Sequence, residues 1–142
     1  ALADISYPSG SKNGAQILWV HFANRDGVLS QESIASIYRE VTRGLYVCTI
    51  SCWEVAKLVE YGRLDLDMPV GTWLHRALSE TGCDLLYLEP EIAALSTSLP
   101  GEFHKDPADQ IIVATGMIKN LMIATNDHLI IDYPRASTLD CR

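Results

Sequence analysis

The chain has 142 residues, 48% of them hydrophobic and 20% charged, which suits one folded domain around a single core. Its formal net charge of −7 argues against a broad nonspecific nucleic-acid binder, which carries a basic face, but leaves room for a nuclease whose own site supplies part of that charge. No apolar run approaches membrane-spanning length and the N-terminus lacks the basic-then-apolar order of a signal peptide, so the expectation is a soluble cytoplasmic protein without a membrane partner.

Along the chain, residues 1–16 hold a short apolar start and then a Gly/Ser-rich stretch of linker composition. Ser30 can cap a helix to about Arg43, with Ile34, Ile37, Tyr38 and Val41 on one face and Gly44 as its stop. Leu45 to Ile50 reads as a buried strand. Ser51 opens the next helix, with Val55, Leu58 and Val59 inward and Gly62 as the stop. Val70, Trp73, Leu74, Ala77 and Leu78 fall at i, i+3, i+4, i+7 and i+8, the pattern of an amphipathic helix. Asp84 to Leu88 is a second strand, and Pro90 can start a helix that ends before Pro100. Asp106 caps a helix from Pro107 to about Asn120; Leu121 to Thr125 and Ala136 to Leu139 are further strands. Trp53 and Trp73 lie on apolar helix faces and read as core. Cys48, Cys52, Cys83 and Cys141 have no CxxC spacing, which argues against a zinc site or a disulfide framework. Strands alternating with helices predict an α/β fold with a mostly parallel sheet.

The richest stretch is Gly101-Glu-Phe-His-Lys-Asp-Pro-Ala-Asp-Gln-Ile-Ile-Val-Ala-Thr-Gly116. Asp106 and Asp109 are three residues apart at the start of an apolar helix and share its face. Glu54 follows one predicted strand and Asp127 ends another, so all four acids can reach one sheet edge. A carboxylate cluster without a His/Cys pattern favours Mg2+ or Mn2+. Each acid also has a structural reading. Ser51-x-x-Glu54 is a capping box, Asp106 is an N-cap with Pro107 at the first helical position and Asp109 at the third, and Asn126-Asp127 is a turn pair. His104 reads as a surface-loop histidine, with phosphate contact or proton transfer as the functional alternative.

Five blocks in register give a more specific signal: Ile50-Ser-Cys-Trp-Glu-Val-Ala56, Gly62-Arg-Leu64, Trp73-Leu74, the Pro100–Gly116 run, and Thr125-Asn-Asp127. Over about residues 28 to 140 the chain resembles the PIN-domain nucleases, most of all the VapC-type toxins of bacterial toxin–antitoxin pairs. The resemblance implies one PIN-like domain over 1–142, a three-layer sandwich whose central, mostly parallel sheet is flanked by helices, with 1–16 as a divergent N-terminal segment. It implies a metal-dependent endoribonuclease that cuts single-stranded RNA, with Glu54, Asp109 and Asp127 as catalytic metal ligands and Asp106 more as helix cap than as ligand. It further implies an antitoxin partner and a homodimer.

The family also carries an aspartate at the end of its first strand, and here the pattern departs. Ile17 to Asp26 resembles what normally follows that aspartate, yet Asn13, Gly14, Ala15 and Gln16 precede it. Asp4 can supply the missing ligand only across an insertion of about ten residues, Tyr7 to Gln16. Either residues 2–6 form the first strand and Asp4 completes the metal site, or Ile17–Val20 takes that position with one ligand fewer. The second case implies a degenerate PIN domain that binds protein or RNA without cutting.

Overall fold

The computed structural model describes residues 7–8, 16–19, 45–81 and 83–140. The helix expected over 30–43, Asp4 and Cys141 lie outside them. In chain order the elements are β1 (Tyr7–Pro8), β2 (Gln16–Trp19), β3 (Leu45–Cys48), α1 (Thr49–Glu60), α2 (Val70–Thr81), β4 (Cys83–Leu86), α3 (Pro90–Ser96), α4 (Pro107–Lys119), β5 (Leu121–Thr125), α5 (His128–Ile131) and β6 (Thr138–Asp140).

The strands form one sheet in the order β4-β3-β2-β5-β6, and β1 pairs antiparallel with the start of β2. Every other pairing is parallel. Leu18 of β2 lies opposite Tyr46 on one side and Ile123 on the other. The slot between β3 and β5 is therefore taken by Gln16–Trp19, a strand with no acidic residue. The strand order reverses beside β2, which is where open α/β sheets leave a crevice beyond the strands' carboxyl ends.

The parallel sheet is the expected one, and its centre shows why β5 reads as continuously apolar. Leu121, Ile123, Ala124 and Thr125 are all buried, as in a strand covered on both faces. Ile112 and Val113 of α4 pack with Leu121, Ile123, Ile130, Tyr133 and Cys48 in the main core. Gly116 lets α4 approach β5 closely, since a Cβ there would stand 2.9 Å from Ile123 Cγ1. A second core joins Val55 to Leu58, Leu64, Val70, Trp73 and Leu74, so the expected apolar faces of α1 and α2 meet.

Boundaries moved where local signals compete. β3 ends at Cys48 and α1 begins at Thr49 rather than Ser51, with Cys48 as an N-cap that makes no side-chain hydrogen bond. Ile50 is apolar because it packs on the core from the helix, not because the strand continues. The strand expected at 84–88 is Cys83–Leu86, leaving Tyr87 and Leu88 exposed, and β6 begins two residues later than expected. The short helix α5 was not expected at all. Trp53 is not a core residue: it is 55% exposed, and the Lys57 ammonium sits 5.6 Å from its ring centroid. Among the described residues no helix is long and apolar enough to cross a membrane.

Candidate active site

α4 carries the strongest local signals in the chain. Asp106 adopts an extended backbone at the N-cap, and its Oδ1 accepts the Asp109 N–H at 3.1 Å. Pro107 follows at the first helical position, where its missing N–H costs nothing. The helix ends at Asn120, whose φ of 57° is the left-handed conformation that Asn tolerates better than most residues. This frame places the Asp109 side chain one turn into the helix and largely buried, 16% exposed. Asp106 is thus the cap that the sequence suggested.

Asp127 follows β5 directly. Its N–H donates to Thr125 Oγ1 at 3.0 Å, and its Oδ1 accepts the Leu129 N–H at 2.8 Å as the cap of α5. Thr125 therefore holds the Asp127 backbone. Glu54 lies near the start of α1. Because that helix starts before Ser51, the capping-box reading of Ser51 and Glu54 is removed. Ser51 is buried, and its Oγ has no hydrogen-bond partner among the described residues. Ser51 and Glu54 are three residues apart in the helix and so share a face.

The carboxylates meet electrostatically. Burial pushes the Glu54 carboxyl up to about 7, helped by the charge of Asp106. Burial pushes the Asp109 carboxyl up to about 8, with the charges of Asp106, Asp127 and Glu54 adding to it. The three segments thus bring Glu54, Asp106 and Asp127 within the field of Asp109. Among the described residues, however, no three acid, histidine or cysteine side chains converge closely enough to make a ready-formed coordination set. Asp4 lies outside the described residues.

The donor chemistry fits a hard divalent cation: oxygen ligands only, held in mutual repulsion that a double positive charge would relieve. The orphaned Ser51 hydroxyl beside Glu54 points the same way, since buried polar groups normally find a partner.

Sequence reasoning undervalued His104. It lies in the loop before α4, as expected, but is half-buried there, with Nε2 lying 3.1 Å from Asp109 Oδ2. Its neighbour Phe103 stacks edge-on against Tyr133, with ring centroids 5.0 Å apart, and Tyr133 donates its hydroxyl to the Pro100 carbonyl at 2.5 Å. No local pattern links Tyr133 to Pro100, 33 residues away; only the position of His104 two residues before Asp106 hinted at a role.

No family model matches the chain. Among curated proteins it is similar to ribonuclease VapC22 of Mycobacterium tuberculosis (strain ATCC 25618 / H37Rv), with 35% identity over 83 residues, which is 58% of this chain and 62% of that protein. The chain thus spans less than two thirds of that relative's length. Over those residues the chain is similar to a VapC-type ribonuclease, and its parallel α/β sheet is of the kind a PIN-like fold has.

Proposed function

We propose that the chain is a metal-dependent endoribonuclease of the VapC toxin kind, cutting single-stranded RNA and neutralised by an antitoxin protein. The observation that carries this reading is the pair of raised carboxyls, Glu54 at about 7 and Asp109 at about 8, inside a group of four acids. Acids held at such values cluster at functional sites. Similarity to a protein named as a ribonuclease supports the substrate class.

Glu54, Asp109 and Asp127 would hold Mg2+ or Mn2+, with Asp106 beside them as cap. Such an ion, when bound, polarises a phosphate and lowers the pKa of a bound water. The chain's own groups do the rest. Asp106 and Asp127 each spend one oxygen on a helix cap, which fixes their carboxylates. Glu54 and Asp109 make no cap and are the groups free to orient an attacking water or take its proton. Cleavage leaves one hydroxyl and one phosphate end. Exposed Trp53, Tyr61, Tyr87, Leu88, Ile118 and Leu129 offer apolar surface for an antitoxin or a second copy of the chain.

A second reading has its own observation: β2 occupies the slot between β3 and β5 without an acid. A site short of one ligand would bind RNA or protein without cutting. Cleavage of a labelled single-stranded RNA with Mg2+, with EDTA, and by Asp109→Asn separates the two. The nuclease reading expects cleavage only by wild type with metal. RNA binding without cleavage by wild type favours the degenerate domain, and full activity of Asp109→Asn removes the catalytic assignment.

A further inference from the structure

We propose that His104 is a positioning residue for Asp109, its imidazole setting the orientation of that carboxylate inside the acid cluster. This rests on the metal-site reading above and extends it to a group outside the ligand set. The ring is held from several sides. Nδ1 accepts the Asp106 N–H at 3.3 Å, the Phe103 ring lies 4.4 Å away between centroids, and the His104 carbonyl accepts Gln110 Nε2 at 3.2 Å. Phe103 is in turn packed on Tyr133, whose hydroxyl pins Pro100. The segment from 100 to 106 is therefore clamped to the core at both ends.

Because Nδ1 accepts a hydrogen bond, the neutral ring carries its proton on Nε2. That nitrogen is buried, and Asp109 Oδ2 stands 3.1 Å from it. Distance and alignment differ here: the separation is that of a hydrogen bond, while the N–H points off the oxygen, leaving Nε2 without an aligned partner among the described residues. Asp106 ties the arrangement together, since its N–H holds His104 and its carboxylate holds the Asp109 backbone. Carboxylates that bind metal are commonly hydrogen-bonded behind the ion in this manner, and the partner's loss weakens binding.

The test uses the full chain with His104→Asn, His104→Gln and Asp109→Asn. Asn keeps an acceptor near Nδ1 but cannot reach Asp109; Gln carries an amide donor close to the Nε2 position. Mn2+ binding is read by calorimetry, thermal unfolding is followed in EDTA, and RNA cleavage is split into kcat and KM. The expected result is an Mn2+ affinity about 10-fold weaker in His104→Asn, largely regained in His104→Gln, with kcat falling more than KM changes. Wild-type Mn2+ affinity in His104→Asn, or no recovery in His104→Gln, overturns the proposal, whatever happens to thermal stability. If Asp109→Asn loses Mn2+ while His104→Asn keeps it, only the positioning role falls. If Asp109→Asn itself binds Mn2+ like wild type, the metal-site reading falls and takes this one with it.

Discussion

Asp109→Asn should stabilise the metal-free protein at neutral pH, and the structure sets the size of the effect. The Asp109 carboxyl stands at about 8, against an ordinary 3.8, because it is buried among other acids. A folded state with a raised carboxyl holds a proton that the unfolded chain gives up above about pH 4. The associated stability is therefore complete below about pH 4 and is lost as pH rises toward 8. About three decades of that interval lie below pH 7, each worth about 1.4 kcal/mol, so the cost at pH 7 is on the order of 4 kcal/mol. Glu54, raised to about 7, runs in the same direction, but the two carboxylates repel each other and their losses do not add. A domain of this size has roughly 5–15 kcal/mol in total, so the metal-free wild type should be markedly weakened near pH 8. Asparagine cannot ionise and removes the Asp109 part. Urea unfolding of both proteins in EDTA, from about pH 4 to about pH 8, should give curves that nearly meet in acid and diverge with rising pH, the variant above. Parallel curves across that range would mean that Asp109 ionises freely in the folded state and costs it no stability.

Other outcomes follow from named contacts. Asp106→Ala should cost about 1 kcal/mol by removing the cap of α4 and should let the Glu54 and Asp109 carboxyls fall toward ordinary values, measured by denaturant unfolding and carboxyl NMR titration. Gly116→Ala should destabilise by about 1–3 kcal/mol, since its methyl would collide with the buried Ile123 and the gain in helix propensity is only about 1 kcal/mol; a rise in Tm would contradict the close approach of α4 to β5. Tyr133→Phe should lose about 1 kcal/mol with the Pro100 hydrogen bond and speed amide exchange across 100–106; unchanged exchange would show that the clamp does not hold that segment.

How much of this was legible in the sequence depends on whether a residue's partner was local. Asp106, Pro107 and Asn120 bound α4 through short-range signals, and the helix came out as read. The apolar run 121–125 could only be a buried parallel strand, and it is one. The start of α1 misled because Ser51 and Glu54 imitate a capping box, while Ile50 suits a strand as well as a core-facing helix position. Trp53 looked inward by periodicity, yet α1 buries Val55 against α2 and leaves Trp53 outside beside Lys57. The four candidate acids stand out in the three segments, because each stands at the end of a strand or the start of a helix. The depth of Asp109, the contact with His104 and the Tyr133–Pro100 bond depend on how distant segments pack, and no local pattern encodes that.

Whether the acid cluster holds a divalent cation is decided by a calorimetric Mn2+ titration of wild type against Glu54→Gln. One saturable binding event is expected in wild type and an affinity at least about 10-fold weaker in the variant, because a hard cation depends on carboxylate oxygens to replace its water. Superimposable isotherms for the two proteins would contradict it, since Glu54 would then be a buried acid with no part in holding metal.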